Sequence, residues 1–197
     1  MSPGRGARSG RSYAFVSLTP IRHGHEAALT KHLKGLQATG SPLAQLPFVH
    51  FGRWMIIDQL KMSWPGAPRR PTRLRSQYLL FTASVTAPSD GTYGRDLPGS
   101  FLTELAARIP ADADAIWRHC VGYPGVTPVA AFVRYLTKSQ LDTLLFHVGY
   151  PDVTVEEVRQ ALAARDGLAS FASNHQDEAN PASLREAYLK ESATWFP

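Results

Sequence analysis

The chain has 197 residues, 44% of them hydrophobic, and a formal net charge of +5. That length can bury a real core and fits one domain with an extension better than two complete domains. The single cysteine, Cys120, excludes an intramolecular disulfide and a cysteine-rich zinc site, and no apolar run is long enough to span a bilayer, so a soluble, cytoplasmic protein is expected.

The positive charge is unevenly placed. Arg5, Arg8 and Arg11 lie in the N-terminal stretch, and Lys61, Arg69, Arg70, Arg73 and Arg75 lie between two strand-like runs; without these eight the remainder is slightly acidic. The basic stretch has prolines and a tryptophan but no series of stacking aromatics and no groove-reading helix, so it reads as a solvated loop rather than a nucleic-acid contact. Residues 1–11 read as a disordered basic tail. They make a poor secretion signal, because the apolar run that follows, Tyr13–Leu18, is short and contains Ser17.

Ser12–Pro20 alternates and ends on proline, as a strand does. Ala28, Leu29, His32, Leu33 and Leu36 then recur at helical spacing, with Gly40 placed to stop the helix. After the proline-containing connector Ser41–Phe48, two runs rich in aromatic and β-branched residues, His50–Leu60 and Ser76–Thr86, predict neighbouring strands of a central sheet. Ala87–Ser100 is turn-rich. Phe101, Leu102, Leu105, Ala106 and Ile109 share one helical face, broken by Pro110. A short helix is predicted from Asp112 or Asp114 to His119, ending at Gly122-Tyr123-Pro124-Gly125, and another over Pro128–Lys138. Thr143–Gly149 reads as a fourth strand. Thr154-Val155-Glu156-Glu157 is a capping box that opens a helix, and Asn180-Pro181 opens the last one.

The order strand–helix–strand–strand–helix–strand predicts an α+β, ferredoxin-like antiparallel sheet with helices on one face, spanning residues 12–150. Residues 151–197 form a C-terminal helical extension expected to pack on that domain. A sheet with one uncovered face needs a partner, which predicts a homodimer with the two sheets facing each other.

Thr19-Pro20-Ile21 with His25-Glu26-Ala27-Ala28-Leu29, His50-Phe51 with Arg53, and Ala115-Ile116-Trp117 with His119-Cys120 and Gly122-Tyr123-Pro124 carry a resemblance to known proteins. The chain resembles the dimeric α+β barrel superfamily, which includes antibiotic-biosynthesis monooxygenases, chlorite-dismutase-like haem proteins and dye-decolourising peroxidases. More narrowly, Tyr13–Ala169 is similar to small domains attached to bacterial haem peroxidase or lipoxygenase-type chains. The resemblance implies a pocket between sheet and helices that holds a hydrophobic small molecule or a haem.

Several residues carry candidate chemistry. Alternation along the central strand puts His50, Trp54 and Asp58 on one face and Phe51, Arg53, Met55 and Ile57 on the other. At about 3.3 Å per residue, His50 and Asp58 are too far apart for a dyad. His50 is either a pocket base or a hydrogen-bonded histidine at a strand end. Arg53, if buried, needs a carboxylate or an anionic ligand.

Trp117-Arg118-His119-Cys120 with Tyr123 combines groups able to transfer protons or ligate iron, although neighbours on a helix point about 100° apart and cannot all face one pocket. The haem-binding relatives place an axial histidine late in the domain, which by analogy raises His147 and His119. His23, His25 and His32 have no carboxylate or cysteine completing a recognisable metal site.

The expected function is an oxidoreductase, monooxygenase- or peroxidase-like, acting on a hydrophobic small molecule with haem or with no cofactor. Its pocket would be lined by Phe15, Trp54, Tyr78, Phe81, Trp117 and Phe146, with His50, His119, Tyr123 or Arg53 as catalytic groups. The alternatives are a cofactor-free cyclase or isomerase and a non-catalytic accessory or dimerisation domain. Polar side chains converging on an apolar cavity favour an enzyme; a filled core favours the interaction module.

Overall fold

The computed structural model describes residues 7–59, 65–66, 73–86 and 97–195. The chain divides into two compact units, Met1–Asp152 and Val153–Pro197.

The first unit is built on a four-stranded antiparallel sheet of β1 (Ala7–Ser9), β2 (Ser12–Pro20), β3 (Val49–Gln59) and β4 (Arg73–Thr86), in the order β1-β2-β4-β3. Among the described residues, four α-helices accompany it, α1 (Glu26–Thr39), α2 (Leu97–Arg108), α3 (Pro110–Trp117) and α4 (Val129–Lys138), with a 3-10 turn at Pro42–Gln45 before β3. The run β2-α1-β3-β4-α2, with β4 between β2 and β3, is the mixed α+β arrangement expected of a ferredoxin-like chain.

Alternation explains which face the helices take. Tyr13 and Phe15 of β2 and Leu79, Phe81, Ala83 and Val85 of β4 point inward and are buried with Leu29, Phe101, Leu105, Ile116, Trp117, Phe132 and Leu136 of the helices. The rings fill this interior. Trp54, Phe81, Phe15, Phe101, Trp117 and Phe132 meet with centroids between 5.1 and 6.3 Å.

The opposite face carries Val16 and Leu18 of β2, Tyr78, Leu80 and Thr82 of β4, and Phe51, Arg53, Met55 and Ile57 of β3, in cross-strand register. These residues are partly or well exposed; Phe51 is 55% and Met55 39% exposed.

Two sequence expectations are corrected. Ala7–Ser9, assigned to the tail, pair with Ser12–Ala14 as β1. Thr143–Gly149 forms no strand, and Leu144 and Leu145 are 98% and 87% exposed. The outer edge of β2, where that strand would have paired, is already filled in three pieces. β1 covers its start, the Leu18 N–H and Val16 carbonyl bond to Ser139 and Leu141, and the Val121 N–H bonds to the Pro20 carbonyl. With the edge satisfied, a short apolar run has no ladder to join. The stretch 87–100, expected to be a turn-rich loop, gives up Leu97–Ser100 to the first turn of α2; residues 87–96 and most of the basic stretch at 61–72 lie outside the described residues, as do residues 1–6.

The second unit is a helical hairpin of α5 (Val155–Asn174) and α6 (Pro181–Ser192). Thr154 and Glu157 form the capping box reciprocally, and the Asn180 side chain accepts the Ala182 N–H with Pro181 in the first turn. Phe171 is buried against the rings of His175, Tyr188 and Trp195. Gly167 lets the Trp195 indole lie on α5, because a Cβ there would come within 2.6–2.9 Å of the ring.

Replacing Phe81 by alanine should cost about 3–5 kcal/mol in urea unfolding, and Leu144→Ala should change stability by less than about 0.5 kcal/mol. Equal losses in the two variants would contradict the filled core and the exposed position of residue 144.

Candidate functional site

The turn after α3 brings a group of polar and titratable side chains together, and the edge of β2 holds it in place. The Ile21–Cys120 bridge and the bond from the Arg22 N–H to the His119 carbonyl lock residues 119–121 against the end of β2. The Arg22 Nε donates to the Cys120 carbonyl at 3.1 Å. The Thr19 hydroxyl, fully buried, lies 3.3 Å from the Cys120 Sγ.

Helical phase separates the other members, as the spacing predicted. Trp117 is in the core. Arg118 pairs with Asp114 one turn back, and the Tyr123 hydroxyl donates to the other oxygen of that carboxylate at 3.2 Å. The Tyr135 hydroxyl donates to the Val121 carbonyl at 3.0 Å, its ring 5.9 Å from that of Tyr123.

His119 meets His25, the residue before α1. Their Nδ1 atoms are 3.2 Å apart and the ring centroids 5.4 Å. The centroid separation exceeds the nitrogen separation by nearly two ring radii, so the nitrogens face each other head-on and share one hydrogen bond. Lone pairs directed at each other do not converge on a common metal. Among the described residues, no group of three or more His, Cys, Asp or Glu side chains could hold an ion.

The environment keeps these groups neutral. Desolvation, then repulsion from His25 and more weakly from His32, Arg118 and Arg22, holds the His119 imidazolium below the usual 6.5. Burial pushes the Cys120 thiol up to about 11, against the weaker pull of Thr19 and Arg22. Burial also raises the Tyr123 and Tyr135 phenols, Asp114 adding to the first and Cys120 to the second. The cluster therefore presents neutral imidazole, thiol and phenol beside guanidinium groups.

The remaining predicted residues are dispersed. His50 bonds through Nε2 to the Thr86 hydroxyl, which lies 3.2 Å from that of Ser12, and burial lowers its pKa. Arg53 points to the outer face with its guanidinium 5.7 Å from the Phe51 ring centre. Tyr78 is on that outer face too, between Pro20 and Ile57. His147 is exposed and Phe146 half-buried on the irregular segment after α4.

Of the expected pocket lining, Phe15, Phe81 and Trp117 are sealed in the ring core, and Trp54 borders the hollows described below. A haem does not fit these residues: rings occupy the expected cavity, His119 is engaged by His25, and His147 stands on the surface.

The open space is elsewhere. Two adjoining hollows of about 240 and 440 Å³ lie between α1 and β3, sharing Leu33, Gln37 and Trp54. Sequence reasoning missed this cleft and the roles of Thr19, Arg22, His25 and Tyr135.

Comparison with family models, curated proteins and solved structures finds no match to this chain. Among the described residues, no helix is long and apolar enough to cross a membrane.

A histidine with a lowered folded-state pKa favours the neutral form in the folded state. Its stabilising contribution is complete above 6.5 and is lost as pH falls through the lowered value. The urea midpoint should therefore fall between about pH 7 and about pH 5, less steeply in the His50→Gln/His119→Gln double variant; an unchanged slope would contradict the two shifts. Cys120 should resist an aromatic disulfide reagent in the native protein and react at once in urea, whereas fast native labelling would contradict its burial.

Proposed function

We propose that the 7–152 unit is a non-catalytic accessory module that pairs with a second copy through the outer face of its sheet. The observation that carries this reading is the contrast between the two faces. Rings fill the inner one, while the outer one presents Val16, Leu18, Leu80, Met55, Ile57 and Phe51 partly exposed in one register. Arg53 is the one charged side chain in this set, and it lies over Phe51, so two such faces bring few charges together. A sheet with an apolar second face is stabilised by covering it, and an isologous pair covers both at once. His50 and His119 stand at opposite ends of β2, held by Thr86 and by His25, and His147 is exposed, which counts against the convergence that an oxidoreductase requires.

A second reading, a cofactor-free isomerase or cyclase, draws on the His25–His119 contact. A neutral imidazole backed by another can accept one proton at neutral pH.

Sedimentation at micromolar concentration should give about twice the chain mass. Leu80→Glu or Met55→Glu should return the monomer mass with the circular dichroism spectrum unchanged. A monomeric parent protein, or full dimer in both variants, would contradict pairing through this face.

A further inference from the structure

We propose that the free edge of β3 and the cleft beside it take an extended segment of a partner protein as an added strand, one that alternates apolar with acidic residues. This goes beyond self-association, which uses the outer face and leaves this edge open.

The two edges of the sheet are treated differently. The β2 edge is filled by β1 and by residues 139–141 and 120–121, whereas β3 is the terminal strand on the other side and, among the described residues, pairs with β4 alone. Every second residue of a terminal strand directs its N–H and C=O away from the sheet, where another chain can meet them. Folds usually blunt such an edge with proline, lysine or a bulge in mid-strand. Val49–Gln59 contains no proline, its one mid-strand charge, Arg53, is turned over Phe51, and its register shifts fall at the ends, between Val49 and Phe51 and between Ile57 and Gln59. Phe51–Ile57 is left regular, long enough at about 3.3 Å per residue for a six- or seven-residue strand.

The cleft identifies what would lie there. One hollow is bordered by the consecutive residues Gly52, Arg53 and Trp54. Consecutive strand residues point to opposite faces, glycine has no side chain, and the Arg53 guanidinium is over Phe51 on the outer face. The hollow therefore runs along the backbone edge itself. Leu33 and Leu36 of α1, with Trp54 and Ile56, form an apolar floor on the inner side, where every second side chain of an added strand would fall.

Charge decides between a partner and a second copy. The residues described around the two hollows include Lys34 and Arg53 and no carboxylate. Edge-to-edge pairing of two β3 strands in register about Arg53 would set that cation against its like, whereas an acidic side chain on the outer side of an added strand would meet it favourably, with exposed Lys34 at the rim of the hollow adding to the positive potential.

The test is selection of a random twelve-residue peptide library displayed on phage against the full chain, followed by fluorescence anisotropy with the enriched peptides made synthetically. Enriched sequences should alternate apolar and acidic residues, and amide resonances of Phe51–Ile57 should shift when they bind. N-methylation of alternate peptide amides, which leaves the protein untouched, should weaken binding at least about tenfold, because strand addition uses those N–H groups. Lys34→Glu, an exposed change on α1, should also weaken it. No enrichment, or binding indifferent to N-methylation, would overturn the proposal; the latter with shifts confined to Leu33, Gln37 and Trp54 would mark the cleft as a small-molecule pocket. Each measurement is repeated in Leu80→Glu, so that failure of the outer-face dimer is read separately.

Discussion

The Phe81 ring is the point on which the first unit depends. From the centre of β4 it meets Phe15 of β2, Trp54 of β3, Phe101 of α2 and Trp117 of α3. Three strands and two helices are thereby tied through one side chain. Edge and stacked ring contacts add to the burial of large apolar area, which is the dominant favourable contribution to folding. These rings close the centre of the interior, and the open space described beneath the sheet is the α1–β3 cleft at its margin.

The end of β2 is cross-linked to the turn after α3 by backbone bonds, by Arg22 and by Thr19, and the neutral groups gathered there hold that junction together. The outer sheet face and the β3 edge differ from it, since each presents groups that the first unit leaves unmatched. Among the described residues of the first unit, the apolar face is partly exposed and β3 has β4 as its one strand neighbour. These are the two deficits that protein association can remedy, one by burying area and the other by completing a ladder.

Local rules made much of the fold legible. Alternation marked β2, aromatic and β-branched content marked β3 and β4, and cap chemistry marked the helix ends at Gly40, Thr154 and Asn180. β1 was hidden because three residues are too few to show a period. The run at 143–149 was misread because a short apolar stretch is ambiguous until the state of the edge it would join is known. The polar cluster was half legible. Arg118, His119, Cys120 and Tyr123 are neighbours in sequence, but the residues that bind them stand far off. Thr19 is 101 positions from Cys120, and His25 is 94 from His119. The α1–β3 cleft had no sequence signal, since it arises from the spacing between two elements rather than from any motif.

The most direct test of the central claim, that the outer sheet face is an interface between copies of this chain, is an isotope-filtered NOE experiment on an equal mixture of labelled and unlabelled protein. The account predicts cross-peaks between copies from the methyl groups of Met55, Leu80 and Leu18. Intermolecular cross-peaks confined to other surfaces, or none at all with monomer-like tumbling, would contradict it.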